Sequence, residues 1–260
     1  MELMVFKEEL ADVYDLIYQD KNYEIECDFV EEIFRKYSEK PISTLLDAGC
    51  GTGGHAIPLA KRNYNVVGSD ISEMIIEKAK EKSKNIANLE FRVMDLRDFR
   101  LHEKFDACIA MFAVMGYITK NSDVVKALNN IRRHLKPNGI FIFDVWNGLA
   151  VMRTLPEQRI KEIENDKVRI LRVAIPNLRA FDHICEVNYK LIVLNKKEGT
   201  FNEVNEKHVV RFYFPQELKY YLESAGFEVL KICPFLDLNG NVDENVWNIT
   251  AITRIVEQEK

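Results

Sequence analysis

The sequence holds no run of about 18 apolar residues, the length that a membrane-crossing helix needs, so no such helix is expected. Positive charge is not in excess: 36 lysines and arginines stand against 41 aspartates and glutamates, for a formal net charge of −5. An extended nucleic-acid surface needs a basic face, so none is expected here. The first ten residues carry three glutamates and no long apolar stretch, which does not read as a secretory signal. The five cysteines, Cys27, Cys50, Cys108, Cys185 and Cys233, form no C-x-x-C pair. They read as small buried hydrophobes in a reducing cytoplasm, not as a disulfide frame or a zinc site. No tight cluster of His, Asp and Glu suggests a metal, and no repeat or low-complexity tract occurs. What remains is a 260-residue chain, 47% hydrophobic and 30% charged, enough for one large domain or one domain with an elaboration.

Residues 43–54, Ser-Thr-Leu-Leu-Asp-Ala-Gly-Cys-Gly-Thr-Gly-Gly, organise the rest. Thr44 to Ala48 reads as a short buried strand, the glycines as a tight loop, and His55 to Arg62 as the start of a helix. Strand, glycine loop and helix form the nucleotide-binding opening of a doubly wound α/β fold. Gly49, Gly51 and Gly53 can take positive φ and let a ligand lie against the backbone. Two ligand classes compete. Gly49-x-Gly51-x-x-Gly54 fits the dinucleotide pattern, whereas Asp47-x-Gly49-x-Gly51-x-Gly53 fits the pattern of S-adenosylmethionine sites. A carboxylate at Asp47 sits badly beside a pyrophosphate and well beside an ammonium and a sulfonium.

The downstream chain has the same logic. Tyr64 to Asp70 is a second strand ending in an acid, nineteen positions after Gly51 and near the spacing expected for a ribose-binding carboxylate. Ser72 is a plausible N-cap for a helix over 71–84, and a third strand, 89–94, runs into Met94-Asp95-Leu96. In this order of motifs the sequence resembles the class I S-adenosylmethionine-dependent methyltransferases. The resemblance implies that the glycine loop holds the methionine end of S-adenosylmethionine, that Asp70 binds ribose, and that Asp95 faces the adenine amine. Carried along the same segments, the implied cofactor set is Tyr14, Tyr23, Asp47, Ala48, Gly49, Cys50, Gly51, Gly53, Asp70, Ile71, Met74, Met94, Asp95, Leu96 and Met111.

Residues 7–38 read as two helices broken near Asp20-Lys21-Asn22. Tyr14 and Tyr18 share a face at i and i+4, and this stretch resembles the N-terminal cap of small-molecule methyltransferases. Strands are expected near 43–48, 65–70, 89–94, 105–112 and 139–146, parallel and joined by right-handed crossovers. Residues 148–214 break that rhythm. Stretches 168–175, 184–194 and 204–214 alternate and read as an inserted antiparallel group, which related enzymes carry as a lid. A helix from Pro215 to Gly226 and a hairpin of 227–232 and 246–255 complete the chain. The expected architecture is thus a doubly wound, seven-stranded, mostly parallel sheet of the Rossmann-like methyltransferase kind. The resemblance implies a methyltransferase domain over 1–147 and 215–260, with a helical cap expected at 1–38 and an antiparallel β lid at 148–214.

Methyl transfer from a sulfonium needs alignment and desolvation more than strong acid–base chemistry. An amine acceptor must still be neutral when it attacks, and histidine or tyrosine near the methyl could take its proton. The catalytic candidates are Tyr14, Tyr117 and His208, with His183 less favoured. The acceptor-binding candidates are Tyr18, Tyr117, Trp146, Asn147, Arg211 and Tyr213. His208-x-x-Arg211-x-Tyr213 resembles a pattern that ends the insert in some relatives. For Arg211 two readings stand side by side, recognition of an anionic group on the acceptor or an ion pair within the lid. The overall resemblance is to small-molecule N-methyltransferases, including those acting on amino sugars, some of which place a histidine where this chain has Tyr117. The expectation is a cytoplasmic methyltransferase with a small-molecule acceptor, most simply an amine, no membrane partner and a homodimer left open. The alternatives are an oxidoreductase using NAD on the same glycines and a protein that binds S-adenosylmethionine without turnover.

Overall fold

The computed structural model describes residues 16–256. Tyr14 and most of the first expected helix lie outside the described residues. The helix after the Asp20-Lys21-Asn22 break, α1, spans Tyr23–Tyr37 and is capped by the Asn22 side chain, which accepts from the Ile25 amide. The βα succession follows: β1 Thr44–Ala48, α2 Ala56–Lys61, β2 Asn65–Asp70, α3 Glu73–Lys82, β3 Leu89–Val93, β4 Phe105–Ala110, α4 Asn121–His134 and β5 Leu135–Trp146. Ser72 caps α3 as expected, accepting from the Ile75 amide. A short helix α5, Gly148–Thr154, leads into four strands: β6 Arg159–Glu164, β7 Val168–Arg179, β8 Ile184–Asn195 and β9 Thr200–Arg211. Then come α6 Pro215–Ser224, β10 Phe227–Pro234 and β11 Asn248–Ile255.

Seven strands form one sheet in the order β10-β11-β5-β4-β1-β2-β3. Neighbours from β5 to β3 run parallel, and β11 is antiparallel to both β5 and β10. The central strands are apolar almost throughout because helices cover both faces. On one face α4 and α6 bring Val124, Leu128, Ile131 and Leu222 against Phe141, Phe143 and Ala251. On the other, α1, α2 and α3 bring Val30, Ile33, Leu59 and Ile76 against Leu45, Ile109 and Ile142. All five cysteines are buried free thiols, as their scatter suggests.

The insert forms a separate antiparallel sheet, β6-β7-β8-β9, with four strands where three are legible in sequence. The unforeseen one, Arg-Ile-Lys-Glu-Ile-Glu, is an edge strand. Charge on an edge discourages unwanted pairing, so such strands lack the apolar signature of interior ones. Strand β5 also begins earlier than expected, at Leu135, with Asn138 inside it at φ 62° and a register shift in its pairing with β4. The lid sheet rests its inner face, Ile163, Ile170, Leu191 and Val204, on Ile17 of the N-terminal segment. Among the described residues no helix is long and apolar enough to cross a membrane.

Candidate active site

The carboxyl edge of the parallel strands carries the glycine loop. Gly49, Gly51 and Gly53 all have positive φ, at 74°, 56° and 90°. At Gly49 the constraint is also steric: a Cβ there would meet the Val114 side chain at 2.5 Å. Asp70, at the tip of β2, accepts from the Gly51 amide at 3.2 Å and from the Ser72 amide at 3.0 Å. Backbone donors therefore fix this carboxylate against the loop, while burial pushes its pKa upward. Asp47, at the end of β1, is buried, and its Oδ2 has no hydrogen-bond partner. Burial raises its pKa to about 6, a shift that His55 and the Ala56 amide partly offset. An orphaned buried oxygen beside three positive-φ glycines is a cradle suited to a cationic group.

The remaining cofactor candidates cluster around this edge. Cys50 donates its amide to Ser69 at 2.7 Å, and Met94 donates its amide to Asp70 at 2.9 Å. Ala48 is buried at the end of β1, Met111 is buried just after β4, Ile71 is exposed, and Met74 lies in the first turn of α3. The Tyr23 ring packs edge-on against His55, 5.1 Å between centroids. Asp95 differs from Asp70. Arg97 binds both of its oxygens through Nε, at 2.8 and 3.0 Å, and pairs again through Nη2. That ion pair, foremost, holds the Asp95 pKa below the usual carboxylate value. Leu96 packs partly buried against the α4–α6 face.

The second half of the site is assembled from three distant segments. After β4 the chain bends through Phe112 and Ala113, both at positive φ (72° and 57°). Asp144 of β5 holds that bend by accepting both amides. Gly116 follows, where a Cβ would meet Val210 at 2.9 Å and the Arg211 carbonyl at 3.0 Å. This close approach sets Tyr117 against β9. The Tyr117 hydroxyl lies 2.9 Å from His208 Nδ1, and His208 Nε2 lies 3.1 Å from a Glu206 carboxylate oxygen. Tyr18 meets Phe112 edge-on at 5.1 Å, and the Arg172 guanidinium lies 4.1 Å over the Tyr189 ring and 5.6 Å from that of Tyr18. Ile17, Tyr18, Arg172, Tyr189, Leu191, Glu206 and His208 line one recess beneath the lid. Burial drives the Tyr18 hydroxyl up to about 12 and that of Tyr117 well above the ordinary phenol range.

Residues 45–139 match the family model described as a methyltransferase domain. A dTDP-3-amino-3,4,6-trideoxy-alpha-D-glucopyranose N,N-dimethyltransferase of Streptomyces venezuelae is 33% identical over 52% of this chain and 56% of its own length. The chain thus spans little more than half of that relative. A putative methyltransferase of a Geobacillus species is 27% identical over 86% of this chain and 90% of its own. In structure, an S-adenosylmethionine-dependent methyltransferase of Clostridium acetobutylicum superposes with a TM-score of 0.81, at 22% identity, over 95% of this chain and 98% of that one.

Residues 45–139 carry a methyltransferase domain, within a fold shared with that solved S-adenosylmethionine-dependent methyltransferase. The glycine loop, amide-held Asp70 and orphaned Asp47 oxygen fit S-adenosylmethionine, a nucleoside that ends in an ammonium and a sulfonium. The lid face brings together Tyr18, Tyr117 and His208, which lie far apart in sequence.

Four other acceptor candidates take up structural positions, and Arg211 needs correcting most. Its Nη1 donates to Asn121 Oδ1 at 2.7 Å and to the Thr119 carbonyl at 3.3 Å, while Nη2 pairs with Glu217 and reaches the Tyr221 hydroxyl. It ties the lid to α6 and is not presented as a receptor for an anionic acceptor group. Asn147 is fully buried, capping α5 and donating to the Asp243 and Val246 carbonyls. Tyr213 is buried and donates to the Met115 carbonyl. Trp146 packs edge-on against Trp247. His183 faces Glu217 at 3.1 Å.

Sequence reasoning missed Glu206, Arg172 and Tyr189. Glu206 had a signal, since it lies two residues before His208 on a strand and therefore shares its face. Arg172 and Tyr189 had none, because their meeting depends on the β7–β8 register. It also missed a buried chain under the loop, in which Lys21 pairs with Glu26, and Glu26 lies 2.7 Å from His55 Nε2.

Proposed function

We propose that this protein transfers methyl groups from S-adenosylmethionine to an amine nitrogen of a small molecule, an amino sugar being the acceptor class that fits best. The observation that carries the reading is the junction of Tyr117 with His208 under the lid. In this reading the pair takes the proton of the acceptor, with His208 lining the recess under the lid and Tyr117 hydrogen-bonded beside it. Amines exist mostly as ammonium ions near neutral pH, and the nitrogen lone pair is free only after a proton leaves. A donor with an activated leaving group asks little more of the protein than that, together with alignment. The names of relatives that act on dTDP-linked amino sugars support the same acceptor class.

In this reading Asp70 takes the ribose hydroxyls, and Asp47 offers its unpartnered oxygen to the ammonium of the methionine end. The glycine loop lets the backbone approach both. Tyr23, Ile71, Met74, Met94, Leu96 and Met111 supply the apolar walls. Asp95 would meet the adenine amine only while sharing its oxygens with Arg97, so its contribution is the smaller of the two acids. When bound, S-adenosylmethionine supplies the methyl group on a positively charged sulfur. The protein's part is to exclude water, orient the acceptor with Tyr18 and Tyr117, and carry the proton off the nitrogen through Tyr117 and His208.

The test is a methylation assay with S-adenosylmethionine and a panel of dTDP-amino sugars, simple amines and phenols, read by mass spectrometry. Gain of one or two methyl masses on an amino sugar is the expected result. Methylation of phenols with none of amines would overturn the acceptor assignment. Tight S-adenosylhomocysteine binding with no turnover across the panel would point to a binding protein.

A further inference from the structure

We propose that Glu206 is a positioning residue for proton removal: it fixes the His208 ring so that Nδ1 is the atom that accepts the Tyr117 proton. The proposal rests on the amine-methylation reading above and assigns a lid residue to it.

A carboxylate can only accept hydrogen bonds. With a Glu206 oxygen 3.1 Å from His208 Nε2, the neutral ring carries its proton on Nε2. Nδ1 is then a bare acceptor, and the Tyr117 hydroxyl, 2.9 Å away, must donate to it. The phenol oxygen thereby turns its lone pairs toward the acceptor side. The opposite tautomer would have Nδ1 donate to Tyr117, occupying a lone pair and closing the path. The side chains of His208 and Glu206 are only 7% and 8% exposed, so water offers little competition for these contacts.

The proton path balances without redox change. The ammonium N–H bond breaks, and its electron pair stays on nitrogen as the attacking lone pair. That proton bonds to the Tyr117 oxygen as the Tyr117 proton leaves for His208 Nδ1. The product is a neutral amine and an imidazolium facing the Glu206 carboxylate. Other groups also face the ring: the Tyr189 edge at 4.8 Å from β8, and Arg172, stacked on Tyr189, from β7. Tyr18 approaches from the N-terminal segment and lines the same recess. The Glu206 carboxylate is the group that faces Nε2 of the imidazolium that the transfer leaves on His208. The arrangement is built into the strand. Glu206 and His208 alternate onto one face of β9, with Tyr189 and Val187 directly across on β8.

The experiment compares wild type, Glu206→Gln and Glu206→Asp. Two readouts are taken: 15N-detected proton placement on the His208 ring, and turnover against pH with an amine acceptor that the wild type methylates. The wild-type ring should show a protonated Nε2 and a bare Nδ1. Glu206→Gln, isosteric and uncharged, should lose the fixed pattern. It should also lower kcat by about tenfold, the modest end of what a proton-transfer group contributes, with S-adenosylhomocysteine affinity unchanged. Glu206→Asp should recover part of both. A wild-type ring protonated on Nδ1, or a Glu206→Gln protein with wild-type turnover and pH profile, would overturn the proposal. A wild type that methylates no amine would defeat the function reading instead, while the ring spectrum would still decide the role of Glu206.

Discussion

The two halves of this site are made of different material. The cofactor half is built from backbone: three positive-φ glycines, and an Asp70 carboxylate gripped by the Gly51 and Ser72 amides. The proposed acceptor half is built from side chains that touch across the fold. Tyr117 and His208 are 91 positions apart, and Arg172, Tyr189 and Tyr18 come from three segments. Backbone geometry is written into short motifs and tolerates little change. Side-chain contacts depend on how a lid packs, and they can be exchanged without altering the sheet. A fold of this construction can keep its cofactor while its acceptor varies.

The comparison can be broken first at the tie between the halves. Arg211 is buried and bonds Asn121, the Thr119 carbonyl and the partly exposed Glu217, so Arg211→Ala should cost about 2–3 kcal/mol, as for losing hydrogen bonds to a charged group. Chemical denaturation checks this, and a loss under about 1 kcal/mol would return Arg211 to the acceptor pocket. Next, Tyr117→Phe removes the hydroxyl that meets His208 while keeping the ring. Turnover should fall roughly a hundredfold, as for loss of a proton-transfer group, with S-adenosylhomocysteine affinity within about twofold in calorimetry because the hydroxyl lies in the other half. A silent substitution would make Tyr117 a packing residue.

Asp70→Ala should do the reverse. A carboxylate at two hydroxyls makes charge-assisted bonds, so S-adenosylhomocysteine should bind at least roughly tenfold more weakly to a protein that remains folded. Unchanged affinity would remove Asp70 from the site. The smallest effect is a linkage effect at Asp47. Its folded pKa is raised to about 6 chiefly by burial, so the stability it contributes is complete below about 4 and is lost as the pH rises through 6. Asp47→Asn should therefore stabilise the ligand-free protein by about 1 kcal/mol at pH 7.5, because part of the relief from burying the charge is offset by weaker bonding to the Ala56 amide. At pH 4 it should bring no gain. Melting curves at the two pH values distinguish these, and equal shifts at both would contradict the assignment.

The same contrast explains what was legible in sequence. The glycine loop, the acids at Asp47 and Asp70 and the Ser72 cap were all readable, because each is a local backbone requirement at fixed spacing. The five parallel strands followed from the βα rhythm, the seven-stranded sheet from the family resemblance, and the antiparallel insert from the alternation that interrupts the rhythm. The charged edge strand 159–164 was not readable, since its pattern is that of a solvated surface. Tyr117 and His208 could each be nominated as polar aromatic residues near a strand end. Their contact depends on Gly116 admitting the β9 backbone, and on Asp144 holding the bend at Phe112 and Ala113. Arg211 kept two readings in sequence because the acid that satisfies it, Glu217, lies six positions further on, in a different element.

Calorimetric titration of S-adenosylhomocysteine and of NAD into wild type and Tyr117→Phe reads both the cofactor and the separation of the two halves. Saturable S-adenosylhomocysteine binding of nearly equal strength in both proteins, with no heat from NAD, is the predicted result. Saturable NAD binding with none for S-adenosylhomocysteine would contradict the cofactor assignment. A large loss of S-adenosylhomocysteine affinity in Tyr117→Phe would contradict the separation of the two halves.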